Sequence, residues 1–193
     1  MYRRGAARSI ATAPSGGHKI GTHAHARMAL LQLPHTAGCL VCGRDNPHGL
    51  KLDLHVDADT SAVRVEFTPR PEHIGFEGVV HGGVIATVLD EAMVWCATWS
   101  GRRFCVCAEL TTRFRKEAAV GRPLVVEAKI ESSRSRLITT TGEVRDAETG
   151  EIVALGTAKY VPVPHDRNRA FMQTLTPDAT TAEAARILQP DSR

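Results

Sequence analysis

The sequence predicts an α+β domain in which a curved, six-stranded antiparallel sheet wraps one long central helix. Three observations lead there. The stretch from Val79 to Trp99 is apolar at 84, 85, 88, 92, 95, 96 and 99, a helical spacing, and also at 86, 89, 93, 94 and 97. A helix apolar nearly all round must be buried. Alternating apolar residues mark two strands before it and four after it, parted by polar turns at hairpin distance. Hairpin-connected strands cover such a helix without crossovers. One concave sheet covers only part of it, and the apolar remainder predicts an isologous homodimer, or a dimer of such dimers.

The chain of 193 residues is long enough for one domain with tails. Its first 44 residues hold no Asp or Glu but do hold Arg3, Arg4, Arg8, Lys19, Arg27 and Arg44. Organelle transit peptides share that bias, but Gly5, Pro14, Gly16, Gly17 and Gly21 interrupt any long amphipathic helix. Residues 1–38 are therefore read as a basic, disordered tail, with room for a short helix near Ala26–Leu31. Residues 39–163 form the domain, and 164–193 a C-terminal extension.

At the domain entry stands Cys39-Leu-Val-Cys42-Gly43, followed by Asn46-Pro47-His48-Gly49-Leu50. His35, Cys39, Cys42 and His48 could supply four metal ligands. A single CxxC with loosely spaced histidines is a weak zinc pattern, so the segment is read as a packed turn and no metal is assigned. Leu50, Leu52, Leu54 and Val56 alternate with polar residues, as do Val63, Val65 and Phe67, giving a hairpin turned at Asp57–Thr60. After the helix, with Gly101 as its stop, strands are expected over 104–116, 124–132, 137–145 and 152–163. The extension offers short helices at 169–175 and 181–188.

Composition narrows the function classes. The net charge of +3 is modest and lacks a basic block within the domain, so nucleic acid is not the expected partner. The central helix has the length of a membrane span. Its Asp90-Glu91 pair would cost roughly 2.5 kcal/mol or more per residue at mid-bilayer, so no membrane partner is expected either. Five cysteines with no apolar secretory segment before them favour free thiols and a cytoplasmic setting.

Asp90 and Glu91 sit about 100° apart around the helix axis, so they cannot serve the same neighbour. A carboxylate in an apolar helix costs several kcal/mol unless partnered, and such placements concentrate where the group does chemistry.

His81-Gly82-Gly83 at the helix start, Asp90 nine positions on, and the four following strands resemble the hotdog-fold acyl-CoA thioesterase superfamily, in its PaaI-like branch. The entry segment 39–50 is similar to the start of many members of that branch. The resemblance implies hydrolysis of an acyl-CoA thioester to a free acid and CoA, without a cofactor. It implies that Asp90 is general base or nucleophile and that the Gly83 N–H, with Gly82 beside it, stabilises the oxyanion. His81 would lie near the thioester or hold the loop as a cap. In this family the site lies at the dimer interface, with Asp90 and Gly83 from different subunits. Glu91 is the alternative carboxylate. Arg113, Arg115, Lys116, Arg134 and Arg136 are candidates for the CoA phosphates.

Two positions depart from the pattern. Relatives often carry Asn or Gln six residues before the histidine, where this chain has Gly75, and Ser or Thr where it has Cys107. A thiol donates weakly, so a positioning bond from Cys107 would be poorer, and no base stands at a spacing that would make it a nucleophile. Phe76, Met93, Trp95 and Trp99 are the apolar candidates for an acyl pocket. Two other functions stay open: a hotdog hydratase or dehydratase, for which His73 stands 18 positions before Glu91, and a non-catalytic acyl-CoA-binding module.

Overall fold

The computed structural model describes residues 30–189. In chain order these form β1 (Leu30–Gln32), β2 (His35–Thr36), β3 (Leu54–Asp57), β4 (Val63–Phe67), a 3₁₀ turn (Pro71–His73), β5 (Ile74–Phe76) and β6 (Val79–Val80). Helix α1 (Gly82–Gly101) follows, then β7 (Cys105–Phe114), β8 (Leu124–Arg134), β9 (Leu137–Asp146), β10 (Ile152–Pro162), α2 (His165–Met172), β11 (Leu175–Thr176) and α3 (Ala182–Leu188).

The main sheet is antiparallel and runs β1-β3-β4-β8-β9-β10-β7, with α1 packed across β7 to β10. It has seven strands where six were expected. The seventh, β1, lies in the expected tail: Leu30 to Gln32 pair with β3 at Asp57 to His55. Residues 26–29 of the short helix expected there fall outside the described residues, and Leu30 and Leu31 are strand instead. The strand expected from Leu50 begins only at Leu54. Leu50 and Leu52 donate their amides to Leu40 and Val41 of the CxxC turn, so that stretch is tied to the turn instead of the sheet.

Helix α1 is buried as its composition requires. Ile85, Val88, Leu89, Ala92, Met93, Trp95, Cys96, Ala97 and Trp99 are all buried and span more than half of the circumference, whereas Ala86, Asp90 and Val94 on the remaining side are only half-buried. Where α1 crosses β9 and β10 the sheet presents Gly142 opposite Gly156. A Cβ on Gly142 would stand 3.0 Å from Leu89 Cδ2 and 3.1 Å from Met93 Cγ, so these glycines let the helix seat closely. The helix ends one residue later than its glycine suggested. Arg102, not Gly101, adopts the left-handed cap conformation (φ 49°), with its guanidinium 4.3 Å over the Trp99 ring. That cation–π contact helps hold a conformation a non-glycine residue ordinarily avoids.

Strand β7 forms one edge of the sheet, hydrogen-bonded only to β10 among the described residues. Its pairing shifts by one residue: Lys159 faces Glu109 but Tyr160 faces Cys107, leaving Ala108 as a bulge. The two expected extension helices appear as α2, shifted toward the N-terminus, and α3.

Candidate active site

The β5–β6 hairpin delivers the chain to α1. His81 donates its backbone N–H to the His73 carbonyl at 2.8 Å, and as N-cap its Nδ1 accepts the Gly83 N–H at 2.9 Å. A ring nitrogen that accepts carries no proton, so a neutral His81 holds its proton on Nε2. The Gly83 amide, expected to face a substrate oxyanion, is thus engaged by His81. A Cβ on Gly83 would stand 2.8 Å from that Nδ1, so only glycine permits the contact. Gly75 explains the missing amide side chain at its position. A Cβ there would lie 2.9 Å from His81 Cα, so the loop packs against the histidine backbone with no space for a side chain.

His81 forms the wall between two clefts. One, of about 520 Å³, is lined by His48, Arg70, His73, Gly83 and Thr87 among others. The other, of about 460 Å³, is lined by Phe76, Gly82, Phe114 and Lys116 among others. Phe76 is 82 % exposed, whereas Met93 and Trp99 are wholly buried and belong to the core. His73 is also buried. Its Nδ1 accepts the Arg70 N–H at 3.0 Å, and burial, with the Arg70 charge beside it, holds its pKa below the usual histidine value.

Farther along α1, Asp90 meets a partner that sequence reasoning missed. Tyr160 on β10 places its hydroxyl 2.7 Å from Asp90 Oδ1 and 3.1 Å from the Asp90 carbonyl. Burial, then the bond to Asp90, pushes the Tyr160 hydroxyl well above its ordinary value, so it stays protonated and donates. Cys107, opposite Tyr160 across the strand pair, joins the group. Loss of water around the sulfur and the Asp90 charge push its thiol up to about 11. A thiol held protonated at neutral pH is no ready nucleophile. Cys107 is exposed in this chain, not buried as a structural cysteine would be.

Glu91 points to a different group. Its Oε1 accepts Trp95 Nε1 at 3.0 Å and lies 3.6 Å from Cys39 Sγ, and Cys42 completes the cluster. Burial, then the neighbouring Cys39, pushes Glu91 up to about 7. A hydrogen bond from the Cys42 thiol draws Cys39 down to about 5, and that contact with burial pushes Cys42 up. The histidines considered as ligands lie elsewhere: His35 Nε2 is 3.3 Å from Asp53, and His48 is exposed at the first cleft. Glu91 is not among the residues lining the cleft that holds His73.

Lys116 is the basic candidate that lines a cleft beside His81, and it pairs with Glu151. Arg113 and Arg115 are exposed near the end of β7. Arg134 and Arg136 sit at the β8–β9 turn, and Arg134 shares a cleft with Gly101 at the far end of α1 from His81. Gly83 and Asp90 are themselves separated by seven residues of helix, about 10 Å of rise, so within one chain they cannot both touch one carbonyl.

A family model described as the thioesterase superfamily matches residues 77–153, from the approach to α1 into the start of β10. A Deinococcus radiodurans protein whose name marks it provisionally as an esterase is 33 % identical over 100 residues. That match spans 52 % of this chain and 67 % of the relative. Among solved structures, a thioesterase superfamily protein superposes with a TM-score of 0.59 at 30 % identity, covering 65 % of this chain and 60 % of its own. The Escherichia coli PaaI protein of the phenylacetic acid degradation operon gives 0.54 at 19 %, covering 60 % and 81 %. The long helix under an antiparallel sheet is their hotdog arrangement, and the sequence match adds kinship to shape: the chain belongs to the thioesterase superfamily, with the fold of the PaaI proteins.

Proposed function

We propose that the protein hydrolyses an acyl-CoA thioester to a free acid and CoA, in a site shared by two copies of the chain. The observation that carries this is Asp90, one of two carboxylates on a largely apolar helix, aligned by the buried Tyr160 hydroxyl at 2.7 Å. The rise between Gly83 and Asp90 supports a composite site, with one subunit giving the helix N-terminus and the other the carboxylate. The β7 edge, unpaired among the described residues, supports the assembly. Val106 is 42 % exposed and Phe114 52 % exposed there, and a long bare edge with apolar side chains calls for a partner strand. A homodimer, singly or paired into a tetramer, is the proposed state.

In this site the thioester carbonyl accepts from the helix N-terminus. With the Gly83 amide engaged by His81, the His81 Nε2–H is the donor at hand, backed by the positive end of the α1 dipole. Asp90 takes a proton from water as the water oxygen bonds the carbonyl carbon. The tetrahedral adduct then collapses, the C–S bond breaks, and the thiolate leaves to be protonated as CoA. Alternatively Asp90 attacks the carbon itself, forming an acyl-carboxylate anhydride that water cleaves. Cys107 and Tyr160 position the carboxylate. Phe76 and Phe114 supply apolar cover for an acyl chain, and Arg113, Arg115 or Lys116 meets the CoA phosphates. A Streptococcus mutans protein of the same fold, 18 % identical with a TM-score of 0.54, was solved with acetyl CoA bound, which supports this ligand class.

We place the catalytic unit at residues 39–163 and its setting in the cytoplasm. All five cysteines are free thiols, and among the described residues no helix is long and apolar enough to cross a membrane. The test is thiol release from short, medium, long and aryl acyl-CoA esters by the native protein and by Asp90→Asn. Turnover that drops by about 10²-fold or more in a folded Asp90→Asn dimer supports the assignment. Binding of the esters without turnover in either protein supports the binding module instead.

A further inference from the structure

The CxxC turn at the domain entry is built more tightly than a connecting loop requires. Gly43 donates its N–H to the Cys39 carbonyl at 3.1 Å, and a Cβ on Gly43 would stand 2.4 Å from that carbonyl oxygen and 2.5 Å from the Cys39 nitrogen. Only glycine closes this turn. The closure brings both sulfurs to one side, where the Val41 N–H donates to Cys39 Sγ at 3.3 Å and Thr36 Oγ1 lies 3.9 Å from Cys42 Sγ. Backbone N–H groups aimed at a cysteine sulfur stabilise a thiolate. Facing the turn is Glu91, 52 positions away in sequence, and its carboxylate is fixed by Trp95 Nε1.

The three ligand atoms, Cys39 Sγ, Cys42 Sγ and a Glu91 oxygen, all lie within 4.8 Å of one another. Thiolates at about 2.3 Å and a carboxylate at about 2.0 Å from a tetrahedral zinc stand about 3.5 to 3.8 Å apart. The Cys39 to Glu91 separation of 3.6 Å already meets that geometry. We propose that Cys39, Cys42 and Glu91 form a binding site for one thiophilic divalent cation, zinc by its donor set, which clamps the entry turn onto α1.

Two soft sulfurs with one hard oxygen select zinc over magnesium or calcium, which take oxygen ligands. The Trp95 N–H donates to Glu91 Oε1, the same oxygen that faces Cys39, and so orients the ligating carboxylate, the role of an outer donor in such sites. Three protein ligands leave the fourth tetrahedral position to a water, and Cys39, partly exposed, gives solvent a way in. Sulfur ligands bind as thiolates and in competition with protons, so binding weakens as pH falls. Neither cysteine lies in the stretch that matches the family model, and the site stands whether or not the protein cleaves thioesters.

Cobalt(II) replaces zinc in such sites and reports each thiolate by a sulfur-to-metal charge-transfer absorption. The full chain, reduced and stripped with a chelator, is titrated with cobalt and then with zinc. The expected result is saturation of that absorption at one cobalt per chain, and its loss on adding one equivalent of zinc. In Cys39→Ser, whose side chain is only partly buried, the absorption falls to about half or vanishes, while Cys107→Ser keeps it. In Glu91→Gln the affinity for cobalt falls by about tenfold or more. Circular dichroism confirms that each variant is folded, and the native titration stands by itself if one is not. No charge-transfer absorption from the reduced native protein overturns the site. So does an absorption that Cys39→Ser retains in full, or one that zinc does not displace.

Discussion

Tyr160 Oη lies 2.7 Å from Asp90 Oδ1, joining the last long strand to the middle of the central helix at a carboxylate. The hydroxyl reaches the Asp90 carbonyl as well, at 3.1 Å. One buried phenol therefore fixes both the backbone and the side chain of that residue.

Removing the hydroxyl separates alignment from chemistry. Tyr160→Phe keeps the packing and deletes a bond to a charged group, a change that costs about 1.5 to 3 kcal/mol. We expect kcat for thioester hydrolysis to fall about tenfold with KM little changed, and the urea midpoint to drop. An unchanged kcat in a destabilised protein would reduce Tyr160 to a structural bond.

Gly75 yields a prediction opposite to the one that family comparison alone would make. Gly75→Asn supplies the amide that the family resemblance implies at this position, but its Cβ falls 2.9 Å from His81 Cα. Overpacking of this kind costs about 1 to 3 kcal/mol and here displaces the cap histidine. Thiol release should fall about tenfold or more, and the melting temperature should drop. A gain in activity would show that the hairpin can yield at that point.

The composite site predicts rescue between inactive proteins. Asp90→Asn and His81→Ala each spoil both sites of their own homodimer. A mixed dimer, however, places both lesions in one site and leaves the other whole. Random reassortment of equal amounts makes half the dimers mixed, so about one quarter of native activity should return. No return after verified exchange of subunits would place Asp90 and His81 in separate functions.

Acid should loosen the C-terminal helix. Asp178 accepts from the hydroxyls of Thr180 and Thr181 at 2.7 and 3.0 Å and from the Thr181 N–H at 3.0 Å. These bonds hold its pKa at about 2, below its ordinary 3.8. A carboxylate depressed by folding stabilises above its unfolded value, and that contribution is lost as pH falls through the folded one. Protection of α3 amides from hydrogen exchange should therefore weaken between pH 3.8 and 2. Asp178→Ala should show the weakened state already at neutral pH.

Much of this was legible because the signals are local. The apolar girth of α1 and the placing of carboxylates within it need only helical periodicity, whereas the His81-Gly82-Gly83 start with Asp90 nine positions on stands out through the family resemblance. Strands β7 to β10 follow from alternation and polar turns. What escaped depends on contacts far apart in sequence. Tyr160 reads as one more apolar strand residue until the register of β7 against β10 is known. Glu91 reads as a spare carboxylate until the CxxC turn is folded against it. Strand β1, three residues long in a run of mostly apolar residues, is too short to show alternation. The engagement of the Gly83 amide by His81 Nδ1 is a choice among caps that the residue types alone leave open.

The bulge at Ala108 ties chain length to chemistry. Ala108 is the one residue of β7 with no counterpart on β10, and beyond it the strand resumes with Cys107 opposite Tyr160. Without a bulge, a regular ladder counted on from Glu109 would set Ala108 opposite Tyr160 and turn the Cys107 side chain away, since each residue of slip exchanges the two sides of a strand. A tally of residues, with no change in their kinds, thereby decides what stands beside Asp90. The bulge itself is silent in the silhouette of the fold and legible only in what stands beside the carboxylate.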